Sequence, residues 1–370
     1  MGRTVPAAPV ANRGRGDPCR PGRAGGRRVR SGAMDIRVAV IGAGSWGTTV
    51  AALAARNTPT TLWARRPELA EQIDTEHRNG DYLADYDLPD ALRATADLEE
   101  AVSAADVLVM AVPSQGFRGA LEDVAEHLRP WVPVVSLTKG LEIGSRKRMS
   151  EIVTEVVPGH PVGVLTGPNL AKEILAGHAA AAVMAMDDHN VAQALSALFR
   201  NTLFRVYTNE DVVGCELGGV LKNVTAIAAG MADGLGAGDN TRAAVITRGL
   251  AEMSRMGAAM GGQAMTFSGL AGMGDLMATC ISPQSRNRHV GERLGRGETI
   301  EEIIEAMNMV AEGVKTSKVV MELAEELGLD MPIASEVKAV CHDGRSAAEA
   351  YQGLLKRDSG HELAGVRPDL

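Results

Sequence analysis

A few charged side chains in this 370-residue chain stand where no charged neighbours accompany them. Lys222 interrupts "LGGVLKNVTAIAAG" (217–230), a helical pattern in which Val220, Leu221, Val224, Ile227 and Ala228 form one apolar stripe. Lys222 points the other way, toward Gly218, Gly219, Ala226 and Ala229, and the nearest ionisable residues along the chain are Glu216 and Asp233. A lysine on so bare a face either snorkels to water or reaches into a cleft. In a cleft, desolvation lowers its pKa toward working pH, where an ammonium can donate a proton and take it back.

Asp275 raises the matching question. In "FSGLAGMGDLMATCISPQSRNRHVG" it is the only charged residue between Arg255 and Arg286. A carboxylate there needs a cation or several N–H donors. It either caps a helix after Gly274 or answers Lys222 from another segment. Arg286, Asn287 and Arg288 follow, a polar cluster suited to a small anion. Two further stretches place polar groups at strand ends. "VVSLTKGLE" puts Lys139 at the carboxyl end of one strand. "LTGPNLAKE" puts Gly167, Pro168 and Asn169 at the end of the next, with Lys172 and Glu173 one turn into a helix. Open α/β sheets bind ligands at that edge.

A glycine-rich turn supplies the complementary chemistry. "VAVIGAGSWGTTVAALAARN" carries Gly42, Gly44 and Gly47 between an apolar strand and a helix. The three glycines suit a tight turn, close approach to a pyrophosphate, and close helix–strand packing, with helix-terminal N–H groups facing the phosphates. A dinucleotide is the expected ligand. The second strand ends in Ala64, Arg65 and Arg66 where an NAD-specific site places an acid against the ribose. Arginines pair with a 2′-phosphate, so NADP(H) is expected as the preferred cofactor, with NAD(H) accepted. Otherwise Arg65 and Arg66 are surface residues at a strand end.

Several elements must position these groups. Strand patterns at "IRVAVIGAG", "TTLWAR", "DVLVMAVP", "VPVVSLTK" and "PVGVLTGP" alternate with helical ones, and "AAAVMAM" and "LFRVYTN" complete the series. Strands without a polar face predict a parallel sheet covered on both sides. Beyond Asn209 the strand signal stops and helices rich in Gly, Ala and Met follow. The expected organisation is a disordered basic extension over 1–33, a dinucleotide-binding domain over 34–210, a helical catalytic domain over 211–357 and a flexible tail over 358–370. The extension is dominated by Arg, Gly and Pro, with Asp17 its only acid; it is either disordered or translated upstream of a start at Met34.

Composition narrows the function classes. A net charge of −8 argues against broad nucleic-acid binding, and no run long and apolar enough to span a bilayer is read from the sequence. Cys19, Cys215, Cys280 and Cys341 lie far apart, which suggests neither a zinc site nor a disulfide framework and fits a reducing cytoplasm. Aromatics make up only 3%, so the core must be built from Val, Leu, Ala, Ile and Met.

The ordered set GAGSWGTTVA, SLTKGLE, LTGPNLAKE, GGVLKNVTAIAAG, GLAGMGDLMATC and SRNRHVG resembles bacterial NAD(P)-dependent glycerol-3-phosphate dehydrogenase, from about Ile36 to about Leu355. The resemblance implies a Rossmann-type doubly wound, mostly parallel α/β sheet followed by an all-α C-terminal domain. It also implies interconversion of dihydroxyacetone phosphate and sn-glycerol 3-phosphate for glycerophospholipid synthesis, and a cytoplasmic homodimer. Position by position, it makes Lys222 the proton donor and acceptor. Lys139 then touches both cofactor and substrate. Gly167, Asn169, Asp275, Ser285, Arg286 and Asn287 line the substrate, Asn169 standing where the family usually has a small hydroxyl residue. Ser45, Trp46, Arg65, Arg66, Ala171, Arg286, Val310 and Glu312 join the three glycines along the nucleotide. The combined expectation is that Asp275 and Asn223 orient Lys222 while Arg286 and Asn287 hold the substrate phosphate. Alternatives are a hydroxyacid dehydrogenase of the 3-hydroxyacid or 6-phosphogluconate type, which lacks the GMGDLMATC and SRNRHVG segments, and a non-catalytic NADP-sensing protein, which would not need Lys222, Asp275 and Arg286 together.

Overall fold

The computed structural model describes residues 36–307 and 311–356. The expectations for 1–33, for the tail over 358–370 and for Val310 lie outside the described residues. The sheet has eight strands: β1 (Val38–Ile41), β2 (Thr60–Trp63), β3 (Leu92–Thr95), β4 (Val107–Met110), β5 (Val134–Ser136), β6 (Val162–Thr166), β7 (Ala180–Met186) and β8 (Phe204–Asn209), in the order β3-β2-β1-β4-β5-β6-β7-β8. β1 pairs in parallel with β2 (Val38 opposite Thr60) and with β4 (Val38 opposite Val107). The chain therefore reverses its direction of winding at β1, and the crevice over β1 and β4 is where doubly wound sheets take ligands. Apolar layers cover both faces, one around Val38, Val50, Leu62 and Phe199, the other around Ile41, Leu108, Phe117 and Ile152.

Two features of the sheet depart from the sequence reading. β3, with the sequence LRAT, was not expected; it is short, only partly buried and at the sheet edge, so it carries no apolar run. β7 runs antiparallel to β6, with Gly163 opposite Met186, and β8 follows β7 in parallel. A parallel return usually crosses the face of the sheet through a full helix. The β6–β7 connection holds only the five-residue helix Ala171–Leu175, and the chain folds back beside itself.

Past β8 every described element is helical. The helix Val212–Gly234 is the axis of this half, with 20 of its 23 residues buried. It is long and apolar enough to cross a membrane, contrary to the sequence reading, but 94% of its apolar window is buried inside the protein. Neighbours surround it, which explains its small residues. A Cβ on Gly230 would fall 2.1 Å from the carbonyl oxygen of Arg288, and one on Gly291 would fall 2.0 Å from that of Ile227. Glycine thus lets the helix Arg286–Gly295 lie backbone to backbone against it. Gly218 does the same for the π-helical turn Leu270–Gly274: its Cβ would meet Ala271 O at 2.5 Å. That contact delivers Asp275, the first residue of the next helix, to the same flank.

Candidate active site

Lys222 does not reach bulk water. It is 6% exposed, and its ammonium donates to Thr279 Oγ1 at 2.5 Å and lies 3.1 Å from Asp275 Oδ1. Asp275, 2% exposed, gives its other oxygen, Oδ2, to Lys139 Nζ at 2.6 Å. Lys139 also donates to Gly167 O at 2.9 Å. One carboxylate therefore holds two ammonium groups, one from beyond the end of β5 and one from the helical half. Asp275 forms no side-chain cap bond with its own helix, whose N-cap is Gly274. Burial lowers the pKa of Lys222 to about 8; the Asp275 carboxylate opposes this, and the positive charge of Lys139 adds to it.

The neighbouring asparagine works differently from the expectation. Asn223 directs its Nδ2 to Lys139 O at 3.4 Å and Gly219 O at 3.3 Å, and makes no hydrogen bond to the Lys222 ammonium among those observed. Its Oδ1 accepts from Asn287 Nδ2 at 2.9 Å, and Asn287 Oδ1 accepts from Gly313 N at 3.0 Å. The two amides thus link the Lys139 backbone to the helix Glu312–Glu326. Glu312, at the start of that helix, accepts from Ser114 Oγ at 3.1 Å, next to the end of β4. Ser285 caps the helix Arg286–Gly295 by accepting from Arg288 N at 3.2 Å. Arg288 pairs with the half-buried Asp233 at 2.8 Å, which makes it a structural member of its cluster. Arg286 presents an exposed surface, while burial of its guanidinium lowers its pKa and Glu312 opposes that shift.

The glycine turn has the three expected geometries. Gly42 adopts φ +114°, and a Cβ there would lie 2.7 Å from Ala111 O. A Cβ on Gly47 would collide with Gly42 O at 2.1 Å, so the third glycine lets the helix Ser45–Ala55 start against the turn. At Gly44 a Cβ would meet nothing within 4 Å, leaving the middle glycine facing open space. Ser45 and Trp46 are half-buried at the helix N-terminus, and Trp46 Nε1 is buried without a partner among the described residues. Thr166 Oγ1 and both polar atoms of Asn169 are likewise buried and unpartnered. These orphaned groups and the open cradle at Gly44 suit a bound dinucleotide and a polar substrate. Ala171 is half-buried at the start of its short helix. Arg65 and Arg66 are exposed beyond β2, and Arg66 is ion-paired to Asp81. The structure thus gathers Lys139, Lys222, Asn223, Asp275 and Asn287 into one hydrogen-bonded cluster, while Arg65 and Arg66 lie toward the other end of the crevice, past β1.

Sequence reasoning missed Thr279, Asn79, Ser114 and Arg148. The first had a signal, since Thr279 follows Asp275 by one helical turn and its hydroxyl donates to Asp275 O at 2.6 Å. Asn79, wholly buried, donates to Ala43 O at 2.9 Å inside the glycine turn, and nothing local distinguishes it from a loop asparagine. Among the described residues no group of His, Cys, Asp and Glu could hold a metal ion.

Residues 37–192 match the family model for the NAD-dependent glycerol-3-phosphate dehydrogenase N-terminus, and residues 211–352 match that for its C-terminus. The chain is 60% identical over 329 residues to glycerol-3-phosphate dehydrogenase [NAD(P)+] 2 of Sphingopyxis alaskensis, covering 89% of this chain and 99% of that protein. It is 59% identical to glycerol-3-phosphate dehydrogenase [NAD(P)+] of Mycobacterium avium, covering 89% and 97%. The crystal structure of glycerol-3-phosphate dehydrogenase from Coxiella burnetii superposes with a TM-score of 0.83 at 36% identity, covering 87% of this chain and 99% of that one.

Proposed function

The chain belongs to the NAD-dependent glycerol-3-phosphate dehydrogenase family, and from that premise we propose that Lys222 is the proton donor and acceptor in the interconversion of dihydroxyacetone phosphate and sn-glycerol 3-phosphate. The observation that carries this reading is the water-shielded Lys222 ammonium, 3.1 Å from Asp275 Oδ1, in one cluster with Lys139 from the ligand-binding edge of the sheet. Bound NAD(P)H supplies the hydride to the carbonyl carbon, and the protein must place the carbonyl and neutralise the alkoxide that forms. An ammonium has three N–H bonds. Two of those on Lys222 face Thr279 and Asp275, and the third is assigned to the substrate oxygen. Proton transfer along it completes the alcohol; in oxidation the neutral amine takes the proton back. Lys139, held on the second carboxylate oxygen, keeps a fixed positive charge beside the developing negative one.

Asn169, Gly167, Ser285, Arg286 and Asn287 surround the substrate in this reading, and Arg286 meets its phosphate. Gly42, Gly44, Ser45, Trp46, Gly47, Ala171, Val310 and Glu312 bind the nucleotide. Arg65 and Arg66 favour NADP(H) by pairing with its 2′-phosphate. A cytoplasmic homodimer feeding glycerophospholipid synthesis belongs to the same proposal. The test is NADPH oxidation dependent on dihydroxyacetone phosphate, with Lys222→Ala as the decisive variant. Turnover should fall by about 10²–10⁴-fold, the usual scale of general acid–base catalysis, while nucleotide binding followed by fluorescence persists. Turnover within about tenfold of the parent would exclude this role.

A further inference from the structure

The nucleotide end of the crevice contains an acid that its local sequence does not reveal. No carboxylate ends β2, yet Asp81 returns from the following loop and pairs with Arg66, the side chains being 44% and 54% exposed respectively. Its neighbours fix that position. Asn79, two residues earlier and 0% exposed, donates to Ala43 O at 2.9 Å and to Thr48 Oγ1 at 2.8 Å, and accepts from Tyr82 N at 3.2 Å. Gly80 N donates to Gln72 Oε1 at 3.0 Å in the helix that Arg66 precedes. Asp81 is therefore held between the glycine turn and the end of β2, where a dinucleotide fold places the adenosine ribose.

We infer that Asp81 is a specificity-determining residue that makes this site accept both nucleotides. Its carboxylate competes with a 2′-phosphate for Arg66 and repels it. Toward a ribose that carries a free 2′-hydroxyl, it supplies the acceptor that NAD-specific sites place at the end of the second strand. Arg65, which forms no ion pair among the described residues, remains to attract the phosphate. The inference rests on the reading that Arg65 and Arg66 meet the 2′-phosphate.

The experiment measures binding without turnover: calorimetric titration of 2′,5′-ADP and of ADP, supported by the ratio of kcat/KM for NADPH to that for NADH. Asp81→Asn should tighten 2′,5′-ADP and raise the kinetic ratio by about threefold to tenfold, the scale of a partly exposed charge pair. Asp85→Asn removes the same charge from the same exposed loop and should leave both readouts within about twofold. The double variant Arg65→Ala/Arg66→Ala tests the underlying reading. If it loses 2′,5′-ADP affinity while Asp81→Asn changes nothing, the inference about Asp81 falls and the arginine reading stands. If the double variant keeps its affinity, the arginine reading falls and takes the inference with it. A shift in Asp85→Asn equal to that in Asp81→Asn also overturns it, because loop charge alone would then be the cause.

Discussion

A proton loosened by burial, with a pKa lowered to about 8, gives Lys222 a measurable signature. The largest influence on it is the loss of water, so the charged form is disfavoured even with Asp275 alongside. Reduction needs the ammonium, and kcat/KM for dihydroxyacetone phosphate should fall as pH rises through about 8. Oxidation of glycerol 3-phosphate needs the amine and should rise through the same value. Parallel profiles in the two directions would remove Lys222 as the titrating group. Folding linkage has a matching sign. The unfolded chain binds more protons than the folded one between about 8 and the ordinary lysine range, so this group's contribution to stability grows with pH there. Lys222 and Asp275 are visible in the sequence because each charge stands alone in a Gly- and Ala-rich stretch, and Lys139 because it ends an apolar strand. Thr279 and Asn79 are not, because a neutral polar side chain looks the same in a loop, a cap or a buried network.

The helices explain why this site needs glycine as much as lysine. The helix Arg286–Gly295 carries Arg286 and Asn287, and its distance from the helix Val212–Gly234 is set by Gly230 and Gly291. In Gly291→Ala the new methyl group would start 2.0 Å from Ile227 O, a contact with rigid backbone that must push the helices apart. Overpacking of this kind costs about 1–3 kcal/mol or more. The melting temperature should fall and KM for dihydroxyacetone phosphate should rise, while affinity for 2′,5′-ADP at the distant nucleotide end holds. Loss of all three together would mean general unfolding and would rule out helix displacement. Strong apolar strands such as VAVI and VLVM were legible by run length alone. The edge strand LRAT was not, since one residue buried in four leaves no pattern to read.

The cluster of Lys139, Lys222 and Asp275 joins the sheet to the helices that follow it, so ties between them matter. Arg148, at the start of the helix Met149–Val156, places Nη1 2.6 Å from Glu216 Oε2, and Ser150 N donates to Glu216 Oε1 at 2.9 Å. Arg146 reaches Glu326 at 2.6 Å, and Ser114 bonds Glu312. Glu216 lies in the same helix as Lys222, and burial raises its pKa, which Arg148 opposes. Replacing one member of a buried pair costs about 3–5 kcal/mol because the other charge is stranded. Glu216→Gln should lose about 3 kcal/mol in urea denaturation, toward the lower end because Arg148 keeps Glu151 at 3.3 Å. A loss under about 1 kcal/mol would show this pair to be dispensable. Chain order and local chemistry already specified a glycine turn after a strand, a lysine and an asparagine on an apolar helix, and a lone acid beyond them, because such features depend on residues a few positions apart. Two ammonium groups on one carboxylate, β7 reversing beside β6, and Asp81 lying against Arg66 join segments far apart in the chain. No local pattern encodes those meetings, since they depend on which surfaces close on one another when water is excluded.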